Sequence, residues 1–197
     1  NSASEIYGKL NANGQVFFSN ANGMLFARGA QVNVGGILAT TMSIGNSDFM
    51  AGNTRFTNPG TGSIRNEGII NALGSVALIG NTTHNAGQII ATTVTLAAGN
   101  TVAIDLTADG LIRARVEDAA LKASIENSGS IDGAQITLTA GQAREALDRV
   151  VNNSGIIRAI GLTMKGGEIL LEGAVVENTG SIVASGANGG GTIKLLG

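Results

Sequence analysis

The strongest constraint in this sequence is a unit that keeps returning: an Asn-x-Gly turn followed by alternating apolar residues. Asn66-Glu67-Gly68 leads to Ile70, Ala72, Val76 and Leu78, and Asn85-Ala86-Gly87 leads to Ile89, Ala91, Val94 and Leu96. Asn127-Ser128-Gly129 leads to Ile131, Ile136 and Leu138, and Asn153-Ser154-Gly155 to Ile157, Ala159, Leu162 and Met164. Asn178-Thr179-Gly180 leads to Ile182 and Ala184, then to Ile193 and Leu195 beyond the glycine-rich "GANGGGT". An apolar residue usually stands two places before the Asn, as Ile64, Ile125, Val151 and Val176 do. The unit reads [IV]-x-N-x-G-x-I-x-A, a short gap, then [VIL]-x-[LM].

Alternation at period two is the signature of a strand with one buried face. Successive Asn sites lie 19, 42, 26 and 25 residues apart, and the 42-residue gap is read as two units. A unit this small cannot bury its own apolar face, but stacked coils at ~4.8 Å per coil can. Asn and Gly tolerate positive φ, which permits a sharp turn between strands. A β-sandwich would instead show frequent two-residue hairpin turns. The return of one residue class to one place in every unit favours an all-β, parallel β-helix of ~20–25-residue coils forming a single domain over 1–197.

Composition supports thin stacked layers. The chain has 30 Gly and 19 Asn but a single proline, Pro59, and its 43% apolar content includes only 3% aromatics and no Trp. The core must therefore be Val, Ile, Leu and Ala. Charged residues make up 13%, about half the usual share. A net charge of −2 gives no electrostatic footprint for nucleic acid. With no cysteine there is no disulfide framework and no thiolate chemistry, which suits a protein that passes through an oxidising periplasm unfolded. No apolar run approaches the ~18 residues of a membrane helix, so the protein is not expected to span a membrane. The abrupt start at "NSASEIYG" suggests a processed piece, and "GTIKLLG" ends without a polar cap, so the solenoid is expected to continue.

One segment breaks the pattern. In "GQAREALDRVV", Ala143, Leu147 and Val150 stand at helical spacing, and Arg144/Asp148 and Glu145/Arg149 can pair at i,i+4. A short surface helix is expected near 142–150. "VEDAALKASI", 116–125, fits a helical turn or a strand equally well.

Catalytic chemistry has little to build on. His84 is the only histidine, so there is no pair for zinc and no triad; beside Asn85 it is expected to be solvated. "DLTADG", 105–110, lacks part of a calcium loop's ligand spacing. Glu117 and Asp118 are expected to be solvated. No metal, cofactor or catalytic residue is assigned, and a β-helix polysaccharide-degrading enzyme is a minor alternative because no strand stacks acids on adjacent coils. The repeat residues Asn66, Gly68, Asn85, Gly87, Asn127, Gly129, Asn153, Gly155, Asn178 and Gly180 are expected to form turns, with side-chain amides able to stack in ladders.

The first 60 residues differ. "LNANGQVFFSNANGMLFARGAQVNVGGILATTMSI" has Asn-x-Asn-Gly turns at 11–14 and 20–23 and a Gly-Gly corner at 35 and 36. This segment closely resembles the secretion domain of the filamentous haemagglutinin family of two-partner secretion exoproteins. Asn20, Asn22, Gly23, Phe26, Gly29, Ala30, Val32, Asn33, Val34, Gly35, Gly36, Ala39, Thr40 and Thr41 stand in register with the family pattern. "SDFMAGNTRF", "GSIRNEGIINA", "VTLAAGNTVAIDL" and "LTAGQAREALDRVVNNSGIIRA" are similar to its continuation. Ala21 stands where the family usually has proline, whose φ is preset near −65°, and the family's earlier Asn-Pro-Asn-Leu motif is absent.

The resemblance implies a right-handed β-helix with the secretion motifs in 1–60 and repeat coils in 61–197. It implies a TpsB-type outer-membrane β-barrel transporter with periplasmic POTRA domains as partner. Asn20, Asn22, Gly23, Asn33, Gly35 and Gly36 would be recognised by it, or be essential turn formers. The expected function is the secretion domain and N-terminal stalk of a secreted or surface adhesin that attaches to host cells, glycans or biofilm matrix. The alternative is the same domain on a haemolysin, cytolysin or contact-dependent growth-inhibition toxin.

Overall fold

The computed structural model describes residues 2–50, 54–57, 59–106, 112–118, 123–141, 151–161, 166–187 and 189–197. Three sheets share the work of each coil. The first face stacks Ser4–Ile6, Met24–Phe26, Ile64–Asn66, Thr82–Asn85, Ser124–Asn127, Val151–Asn153 and Val176–Asn178 in chain order. The second stacks Lys9–Asn11, Gln31–Val34, Ile69–Ala72, Gln88–Ile90, Ser130–Gly133, Ile156–Gly161 and Ser181–Gly186. The third stacks Gln15–Ser19, Gly36–Thr40, Ser75–Gly80, Thr93–Ala98, Gln135–Ala140, Glu168–Glu172 and Thr192–Leu196. Every pair between neighbouring coils is parallel, so the fold is a β-helix of three strands per coil.

The repeat unit maps onto these faces directly: [IV]-x-N is the first strand, I-x-A the second and [VIL]-x-[LM] the third. Inward residues stack like on like, as in Ile70, Ile89, Ile131 and Ile157 on the second face and Leu78, Leu96, Leu138 and Leu171 on the third. These side chains are fully buried and belong to one apolar cluster running from Met24 to Leu171. Small aliphatic side chains suit the narrow interior, which accounts for the shortage of aromatics.

Several expectations are corrected. The 42-residue gap is one coil, because Thr82–Asn85 pairs directly with Ser124–Asn127. Its extra length is an antiparallel hairpin, Thr101–Leu106 with Ile112–Asp118, extended by Arg55–Phe56 into a small outer sheet. That sheet packs a second cluster, Met42, Phe56, Val102 and Ile104, against the outward Ala77, Ile79 and Ala97 of the third face. Val116–Asp118 thus lies on a strand, and Ser124 and Ile125 open the next one. In the Asn153 coil the third strand carries Ile169 and Leu171, opposite Ile136 and Leu138, while Leu162 and Met164, expected there, lie outside the described residues. A short helix, Asn46–Met50, precedes Arg55–Phe56. The helix expected near 142–150 and most of "DLTADG" lie outside the described residues.

Candidate functional site

The Asn20–Gly23 segment closes the corner between the third and first faces. The Gly23 amide donates to the Asn20 carbonyl at 3.0 Å, and the Asn22 amide donates to Asn20 Oδ1 at 3.0 Å. Asn20 Oδ1 also accepts from Asn22 Nδ2 at 3.2 Å, while Asn20 Nδ2 donates to Ser4 Oγ at 2.9 Å and to the Ser2 carbonyl at 3.2 Å. The whole Asn20 carboxamide is therefore spent inside the fold, tying the turn to the coil before it. Gly23 has φ 107°, and a Cβ there would sit 2.8 Å from the Ser63 carbonyl oxygen. Glycine is required twice over, for the left-handed backbone and for the contact. Ala21 and Asn22 are exposed. The Ala21 carbonyl accepts from the Gly62 amide at 3.1 Å, so hydrogen bonding holds a position where proline would hold it covalently.

Asn33, Gly35 and Gly36 lie elsewhere. Asn33 points outward from the second face and donates to Asn11 Oδ1 at 3.0 Å. Gly35 and Gly36 form the corner between second and third faces, where a Cβ on Gly35 would lie 2.8 Å from the Asn13 carbonyl oxygen. The six motif residues are thus spread over two corners and one face.

The repeat asparagines make one continuous feature on the inside of the first face. Asn66 Nδ2 donates to Asn85 Oδ1 at 2.8 Å, Asn85 to Asn127 at 2.8 Å, Asn127 to Asn153 at 2.7 Å and Asn153 to Asn178 at 2.6 Å. All but Asn178 are fully buried. Asn66 begins the ladder above Phe26, and its Oδ1 accepts from the Gly68 amide at 3.2 Å. The adjoining glycines are explained by contact and not by φ. Among the described glycines only Gly23 and Gly29 have positive φ, whereas a Cβ on Gly87, Gly129, Gly155 or Gly180 would overlap the glycine carbonyl one coil before it.

Glu117 and His84, both expected to be solvated, have side-chain partners. Glu117 accepts from Arg55 Nε at 2.7 Å and Arg115 Nη2 at 2.8 Å, and the Arg55 hydrogen bond holds its carboxyl below the usual range. His84 is only 17% exposed, with Nε2 3.2 Å from Ser128 Oγ and 3.9 Å from Glu126. Among the described residues no group of three His, Cys, Asp or Glu side chains could hold a metal, and no helix is long and apolar enough to cross a membrane.

The model of the TPS secretion domain matches residues 1–192. The chain belongs to the TPS secretion domain family. It is a secretion domain of two-partner-secreted exoproteins. Two heme/hemopexin-binding proteins of Haemophilus influenzae are 36% identical over 181 residues and 32% identical over 201. These matches take in 86% and 89% of this chain but 20% and 22% of those relatives, so the domain spans about a fifth of their length. The crystal structure of the HMW1 secretion domain from Haemophilus influenzae superposes with a TM-score of 0.75 at 25% identity, over 96% of this chain and 55% of that one.

Proposed function

We propose that the transporter reads Asn20–Gly23 while the chain is extended, and that closing the turn outside the cell withdraws the signal. The observation that supports this is the full engagement of the Asn20 carboxamide and the burial of Gly23 in the folded coil. Only an unfolded chain offers both groups to a partner. Folding then favours release: each coil that stacks buries apolar area at ~25 cal/mol per Å² and satisfies one more ladder amide. The test separates export from refolding with Asn22→Ala, since Asn22 is exposed and among the described residues its side chain bonds only Asn20. Loss of export with unchanged refolding is expected. Unimpaired export in Asn22→Ala and Asn20→Ala would overturn the reading.

The exoprotein that this domain leads out is proposed to be an adhesin presented on a stiff β-helical stalk, as the family resemblance suggests. The names of the two relatives favour a second reading, in which the exoprotein captures haem-loaded haemopexin. Binding of the full-length protein to haem–haemopexin, set against binding to host cells and glycan arrays, separates the two.

A further inference from the structure

Of the three Asn-Gly pairs in this protein, Asn188–Gly189 has its asparagine outside the described residues, and the other two sit in opposite chemical settings. Asn13–Gly14 lies on the first coil, at the corner between the second and third faces. Both residues are exposed, and among the described residues the Asn13 side chain makes no hydrogen bond and the Gly14 amide has no partner. The Gly14 carbonyl is engaged, accepting from the Gly35 amide at 3.0 Å and the Gly36 amide at 3.4 Å. Asn22–Gly23 is the reverse case. Its Gly23 amide is buried and donates to the Asn20 carbonyl at 3.0 Å, and Asn22 Nδ2 is held by Asn20 Oδ1 at 3.2 Å.

We propose that Asn13 is a spontaneous deamidation site of the folded protein, and that the Asn20 turn shields the otherwise equivalent Asn22. The reaction needs a free glycine amide beside an asparagine. The Gly14 amide nitrogen attacks Asn13 Cγ and closes a succinimide. The bond from Asn13 Cγ to Nδ2 breaks, and ammonia leaves carrying the proton of the Gly14 amide. Water then opens the ring at either carbonyl, leaving aspartate or isoaspartate at position 13 and adding a negative charge to the net −2. At Gly23 the attacking nitrogen is already committed to Asn20, and the turn must open before the ring can form. Asn22 therefore records how long the turn stays unformed, while Asn13 ages whether or not the protein is folded.

The purified protein is incubated at mildly alkaline pH, native and in urea. Each site is followed by peptide mass spectrometry with isoaspartyl methyltransferase labelling. The native protein is expected to convert Asn13 at least tenfold faster than Asn22, with the two converging in urea. Gly14→Ala, whose added methyl meets nothing within 4 Å, should slow position 13 without altering the fold. Equal native rates at the two sites, or a native Asn13 that stays intact while both convert in urea, would overturn the proposal.

Discussion

At the scale of single residues, the asparagine edge joins two columns with opposite demands. The ladder needs side chains that donate and accept at once, because each buried carboxamide serves the coils on both sides. Asn127→Ala takes the Asn153 Oδ1 donor away and leaves Asn85 Nδ2 only its longer bonds to the Gly87 and Ser130 carbonyls at 3.4 and 3.3 Å, at about 1–3 kcal/mol for a buried group left unpaired. Asn178→Ala, at an exposed position, should cost less than Asn127→Ala in the same urea melts. The neighbouring glycines need no side chain at all. Gly129→Ala presses a methyl into the Gly87 carbonyl and is expected to cost about 1–3 kcal/mol or more, where Gly14→Ala should leave the urea midpoint unchanged or slightly raised. Asparagine was legible in the sequence at every ladder position because the demand is local and repeated. The reason for glycine was not, since overlap with the previous coil is a contact between residues distant in the chain.

At the scale of elements, the outer sheet is held by one apolar cluster and one charged clasp. Ile104→Ala should cost about 2–5 kcal/mol, seen as faster hydrogen exchange confined to Thr101–Leu106, Ile112–Asp118 and Arg55–Phe56. The clasp gives a pH dependence of known sign. Glu117 has its folded pKa lowered, chiefly by the Arg55 hydrogen bond, so its contribution is present above the ordinary carboxylate pKa. It is lost as pH falls through the depressed folded value. Exchange at Arg55–Phe56 should rise over that acidic window in the wild type and be flat there in Glu117→Gln. This sheet escaped sequence reading because its antiparallel partners, Arg55–Phe56 and Thr101–Leu106, share no local signal. The third strand of the Asn153 coil was misplaced for a related reason. Leu162/Met164 and Ile169/Leu171 alternate equally well, and only stacking on Ile136 and Leu138 selects the second pair.

At the scale of the whole molecule, each coil touches its neighbours and the core runs unbroken along the axis, so stability is a series of nearest-neighbour terms. A cavity in the middle should therefore divide the unfolding transition, and one near an end should only fray it. Leu96→Ala is expected to expose amides on both sides of its coil in native-state hydrogen exchange, and Ile182→Ala only those of the last coils. The three corners of the coil are unequal in this respect. Between the repeat Asn and the second face the backbone always spends two residues, as at 67–68, 86–87, 128–129, 154–155 and 179–180. Between the third and first faces it spends residues 41–63, 99–123 and 141–150 in three coils and only Asn81 in another. One edge behaves as the bound spine of a book and the opposite edge as pages cut to any width. Length differences among relatives should gather at that outer edge, and foreign segments spliced in at Asn81 should be carried without disturbing the spine.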